Sequence, residues 1–207
     1  GSQILFKKAS LQILAGARIG LVGANGTGKT TIFHLITGEE EADEGQISYS
    51  KKTKIGYFSQ NVGEMSGRSA LSEVMSGAKD VAMLGRAMKE MEAAMAEPMD
   101  DSTMGLLLEK YGEAAQEFET RGGYDLETRA QTVLTGLGIG PVDYTRPVES
   151  FSGGWKMRIA LATILTISPT VLLLDEPTNH LDMESIIWLE NWLVNDFKGA
   201  LLMTCHD

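Results

Sequence analysis

Residues 23–30 read Gly-Ala-Asn-Gly-Thr-Gly-Lys-Thr, a segment whose glycines permit a backbone curl that most side chains forbid. Its setting narrows the fold further. Residues 19–22 form a short apolar run of the kind buried in a strand, and residues 31–36 carry helical spacing. Strand, glycine-rich loop and helix in that order wrap successive backbone N–H groups around a phosphate and add the unpaired amides and positive dipole end of the helix. We therefore expect Gly23, Asn25, Gly26, Thr27, Gly28, Lys29, Thr30 and Thr31 to bind a nucleoside triphosphate. In that reading the Lys29 ammonium reaches the β- and γ-phosphates, and the Thr30 hydroxyl is a ligand of Mg²⁺. A chance surface turn could spell the same letters, but it would not need the flanking strand and helix.

The rest of the sheet is legible from apolar runs. Residues 171–174, Val-Leu-Leu-Leu, show no alternation, which predicts a strand covered on both faces in a mostly parallel sheet. Residues 200–204 predict another strand, and residues 186–194 a helix. Loose alternation over 4–13, with a turn at Ala15-Gly16, reads as strand leading to the phosphate loop, and β-branched or aromatic residues over 45–49 and 54–58 predict a second, small antiparallel sheet ending near Gln60. Lys51, Lys52 and Lys54 flank it. They read as a solvated hairpin edge, or alternatively as a phosphate contact, although a formal net charge of −10 argues against broad nucleic-acid affinity.

Between residues 65 and 123 the texture changes. Val81, Leu84, Met88, Met91 and Met95 recur at steps of three and four, as do Met104, Leu108, Tyr111, Ala115 and Phe118. Two antiparallel helices result, with Pro98 stopping the first and Asp100 or Asp101 capping the second. Eight of the eleven methionines fall between residues 65 and 104, which reads as seam packing or as an adaptable binding surface. With 207 residues and 43% hydrophobic composition, one large domain with an insertion is expected, its helical subdomain at 65–150 and the hairpin at about 79–120. No apolar run approaches the roughly 20 residues that cross a bilayer. The single cysteine, Cys205, fits a reducing, cytoplasmic setting without an intrachain disulfide.

Acidic residues end the 171–174 run. Asp175 is placed to hold Mg²⁺, and Glu176 to polarise a water opposite the γ-phosphate; a solvated Asp-Glu loop pair is the bland alternative. Ser152, Gly153 and Gly154 open a helix containing Ile159, Leu161, Ile164 and Leu165, and leave its first amides free for a second anion site; alone they are only a capped turn.

Taken in order, these segments resemble the ATP-binding cassette (ABC) family: Walker A at 23–30, Q-loop Gln60, signature Ser152-Gly153-Gly154, Walker B ending at Asp175, Glu176, D-loop Asp182 and switch His206. The resemblance implies an α/β P-loop NTPase fold that binds and hydrolyses Mg-ATP. It assigns Gln60 to Mg²⁺ and the attacking water, and gives His206 a hydrogen bond to the γ-phosphate. His34 and His180 match no family position and are read as structural. It also implies a second, facing cassette, whose nucleotide the signature residues cap, either in tandem on one chain or as a second copy. The segments 151–158, Phe-Ser-Gly-Gly-Trp-Lys-Met-Arg, and 176–182, Glu-Pro-Thr-Asn-His-Leu-Asp, are similar to the first cassette of the ABC-F branch. Those proteins lack membrane spans and act on the ribosome or its tRNA, which the hairpin would touch, although its acidic character does not itself signal RNA. Further strands, a linker and a second cassette are expected beyond Asp207. The alternative is the nucleotide-binding subunit of a membrane transporter. The ring that stacks on adenine is left unassigned.

Overall fold

The computed structural model of the protein describes residues 5–59 and 63–204. Four short strands, β1 (Arg18–Leu21), β2 (Ile55–Phe58), β3 (Val171–Leu174) and β4 (Ala200–Thr204), form one sheet in the order β1-β4-β3-β2. All three pairings are parallel, so each strand returns through a crossover and the sheet needs cover on both faces. Alternation supplies the cover. On one face Leu173 and Leu202 meet Phe33 of α1 (Lys29–Thr37); on the other, Leu172, Leu174 and Leu201 meet the helical layer.

That layer contains α2 (Ala70–Ser76), α5 (Leu126–Gly136), α6 (Gly153–Thr166) and α7 (Met183–Asn195). Helix α6 lies inside it, packed against α2 and α5 with Ile159, Leu161, Ala162 and Leu165 buried. Between α2 and α5 rises the hairpin of α3 (Lys79–Met95) and α4 (Asp101–Thr120). Three links fix its antiparallel sense: Arg121 to Asp80 (3.1 Å), the Tyr111 hydroxyl to Glu92 (2.7 Å), and Phe118 against Gly85, where a Cβ would meet the ring at 3.2 Å. Asp100 caps α4 by accepting from the Thr103 N–H at 3.0 Å. Val81 and Met88 are buried in the seam. Leu108, expected there, is exposed, and Leu107 is the less exposed of the two.

The small antiparallel sheet expected over 45–58 does not form among the described residues. Residues 54–58 supply instead β2, which joins the main sheet in register with β3 from Ile55 opposite Val171 to Phe58 opposite Leu174. Lys51 and Lys52 sit in a turn closed by the Thr53 N–H on the Ser50 carbonyl (2.9 Å), yet no strand precedes it. The segments at 5–14 and 45–49 are not strands either: Leu5, Leu11, Leu14, Ile47 and Tyr49 are exposed, so alternation there has no second layer to bury against.

Candidate functional site

The carboxyl ends of β1, β4 and β3 lie side by side, and the loop at 23–28, Thr204 and the Asp175-Glu176 pair therefore share one edge of the sheet. Such an edge is where open α/β sheets bind ligands. The loop leaves β1 and enters α1 through Gly26 (φ 79°) and Gly28 (φ 93°), both in the left-handed region that glycine tolerates. Gly28 is also shielded by the Phe6 ring, whose Cζ would lie 2.7 Å from a Cβ there. No side chain caps α1, which leaves its first amides without a side-chain partner at the end of the loop. The Thr27 hydroxyl donates to the Ala24 carbonyl at 2.9 Å and braces the curl. Lys29 arches back over it, with Nζ donating to the carbonyls of Gly23 (2.7 Å) and Ala24 (3.0 Å).

A chain of short hydrogen bonds joins this loop to the acidic pair. The Thr30 hydroxyl donates to Asp175 Oδ2 at 2.7 Å, the Thr204 hydroxyl donates to Asp175 Oδ1 at 2.7 Å, and the Glu176 N–H donates to Thr204 Oγ1 at 2.8 Å. Asn179 Nδ2 in turn donates to Glu176 Oε2 at 2.7 Å. Asp175 is buried, whereas Glu176 is half-exposed and adopts φ 51°, a conformation rare for a residue with a side chain. Thr30 and Asp175 present hard oxygen donors beside the loop, the donor chemistry Mg²⁺ selects. Among the described residues no group of three or more His, Cys, Asp or Glu side chains forms a metal site. Nearby in β2, burial first, then the charges of Asp175 and Glu39, push the Tyr57 phenol up to about 12 and keep it neutral.

Ser152, Gly153 and Gly154 are not part of that cluster. Ser152 occupies the N-cap position of α6, but its hydroxyl makes no capping bond, and Ser152 and Gly153 are exposed. Four residues beyond Gly154, Arg158 ties this helix start to the Asp182 segment. Its guanidinium donates to the carbonyls of His180 (3.0 Å) and Leu137 (3.1 Å) and to Asp182 Oδ2 (2.8 Å), and lies 4.5 Å from the Trp155 ring centre. Asp182 also caps α7 through the Ser185 N–H (2.9 Å). That bond first, and Arg158 second, hold the Asp182 carboxyl down at about 2. His34 pairs with Glu40 at 3.0 Å, away from the acidic pair. Gln60 and His206 lie outside the described residues.

Sequence reasoning did not single out Thr204, Asn179 or Arg158. Thr204 had one signal, a lone hydroxyl ending the apolar run Ala-Leu-Leu-Met.

Comparison with known proteins matches residues 6–179 to the ABC transporter family. ABC transporter F family member 2 of Arabidopsis thaliana is 35% identical over 98% of the chain, and the tylosin resistance ATP-binding protein TlrC of Streptomyces fradiae 32% over 99%. The chain spans 30% and 37% of their respective lengths. Among solved structures, the ATP-binding subunit of an ABC transporter superposes with a TM-score of 0.68 at 18% identity, covering 99% of this chain and 74% of the other. A dimeric ATP-binding cassette in a post-hydrolysis state, bound to ADP and Pi, superposes with 0.60 at 19% identity, covering 98% and 80%.

Proposed function

The chain belongs to the ABC transporter family as one of its ATPase domains, and from that premise we propose that it binds Mg-ATP at residues 23–31 and hydrolyses it against a facing cassette. The observation that carries this reading is the pair of 2.7 Å hydrogen bonds by which Thr30 and Thr204 fix both oxygens of Asp175 at the mouth of the phosphate loop. Loop amides and Lys29, released from its own carbonyls, bind the phosphates; Thr30 and Asp175, with Gln60 from the resemblance, hold Mg²⁺, which neutralises phosphate charge when bound. Glu176 accepts a proton from the attacking water, and His206 senses the γ-phosphate. Ser152, Gly153 and Gly154 offer open amides to nucleotide on the facing cassette.

The 151–158 and 176–182 segments, and relatives named as an F family member and a tylosin resistance ATP-binding protein, support assignment to the first cassette of an ABC-F protein. In that role the protein is cytosolic and acts on the ribosome in translation, with residues 65–150 as helical subdomain and the hairpin at 79–120 as the contacting arm. No helix among the described residues is long and apolar enough to cross a membrane. Full-length protein carrying Glu176→Gln, incubated with ATP, is expected to co-sediment with ribosomes. Partition to membranes alone would replace this reading with that of a transporter subunit.

A further inference from the structure

Strand β4 is apolar up to its last residue, and that residue carries a buried hydroxyl, 1% exposed. Register explains its position. Thr204 stands opposite Leu21, where β1 gives way to the phosphate loop, while its predecessor Met203 stands opposite Leu174, immediately before Asp175. The side chain thus lies between the strand that feeds the loop and the strand that delivers the acidic pair.

A hydroxyl has one proton to donate and lone pairs to accept with. Thr204 uses both capacities: it donates to Asp175 Oδ1 at 2.7 Å and accepts from the Glu176 N–H at 2.8 Å. The first bond sets the plane of the Asp175 carboxylate, since Oδ2 is simultaneously held by Thr30 at 2.7 Å. The second pins the peptide of Glu176, a residue whose φ of 51° persists only if its surroundings over-determine it. We propose that Thr204 is a positioning residue that fixes the cation-binding oxygen of Asp175 and the strained backbone of Glu176 through one hydroxyl. This proposal rests on the reading of Asp175 and Glu176 as the Mg-ATP and water-orienting groups. It goes beyond that reading by giving β4 a polar role at the site. The register of β4 puts the side chain there, and the hydroxyl, not the methyl, performs the role.

Thr204→Val keeps the shape and removes the hydroxyl, and Thr204→Ser keeps the hydroxyl. In full-length protein, Thr204→Val is expected to bind a fluorescent ATP analogue in EDTA as wild type does. It should require roughly 10–100-fold more Mg²⁺ for the metal-dependent tightening, and lose kcat by a similar factor with a smaller change in KM. Thr204→Ser should restore both to within about threefold. In the nucleotide-free protein, exchange of the Glu176 amide with solvent should rise at least about tenfold in Thr204→Val and stay near wild type in Thr204→Ser. That last measurement needs no ATP: a wild type that failed to bind nucleotide would overturn the functional reading, whereas unchanged Glu176 exchange in Thr204→Val would overturn this proposal alone. Thr204→Ser behaving like Thr204→Val, or Thr204→Val losing nucleotide binding in EDTA together with thermal stability, would assign the residue to packing and also overturn it.

Discussion

Helices α1 and α6 both begin without a side-chain cap, and both follow or contain glycines, yet they open onto different surroundings. At the start of α1 the helix's own Lys29 and Thr30 meet a buried carboxylate, Asp175, delivered at the end of β3. At the start of α6 the exposed Ser152 and Gly153 look outward, and the nearby charged group, Arg158, is already committed to Asp182 and two carbonyls. One start meets a carboxylate brought from another strand; the other presents uncapped amides with Lys156 in its first turn. Under the proposed reading this difference suits a shared site, in which each cassette brings its own catalytic groups and an uncapped helix start for the nucleotide of the other.

The comparison can be broken at either end. Glu176→Gln should cut phosphate release in the paired protein by about 10²–10⁴-fold while the nucleotide stays bound, and equal turnover would remove Glu176 as the base. Gly153→Asp places a negative charge at the open start of α6 and should lower turnover by about 100-fold. Calorimetry on single cassettes should find its own-loop affinity less impaired than that of Lys29→Ala; the reverse ranking would put both helix starts in one site. Lys29→Ala itself should weaken triphosphate binding roughly 10–100-fold, through loss of a charge-assisted bond.

A smaller effect sharpens the contrast at Asp182. Its carboxyl is held at about 2 against an ordinary 3.8, so the stability it contributes is complete above 3.8 and is lost as pH falls toward about 2. Acid unfolding of Asp182→Asn should lack that segment of the pH dependence, whereas an unchanged profile would show that Arg158 and Ser185 do not favour the ionised form. Smallest of all, Asp100→Ala should raise amide exchange in the first turn of α4 by roughly fivefold and leave nucleotide binding untouched, because that capped start lies at the turn between α3 and α4, outside the proposed nucleotide site.

Elements whose signal is local were legible in the sequence. The phosphate loop, the unalternating β3 with its acidic end, and β4 declare themselves within a few residues, and the structure forms each where the pattern lies. Partner choice was not legible. Residues 54–58 have strand character, but their pairing with β3 depends on a segment more than a hundred residues away, so the main sheet took a strand expected elsewhere. Residues 45–49 alternate in the same way and remain exposed, because alternation states which face wants cover and not whether cover exists. In the hairpin, Leu107 and Leu108 are equally apolar, and only packing decides that Leu107 is the less exposed. Thr204 and Arg158 went unseen because a hydroxyl and a guanidinium acquire meaning from atoms on other elements, and Asn179 because its bond to Glu176, three residues back, depends on how the turn between them folds.

The hairpin's roots give the fold mechanical reach. Helices α2 and α5, which flank α3 and α4 in the chain, both pack on α6, the helix whose uncapped start is the proposed clamp. Twenty residues of α4 amount to a rod about 30 Å long. A tilt of about 10° at its base sweeps the far end through ~5 Å, so a change too small to break a packed contact at α6 becomes a displacement the size of a side chain at the tip.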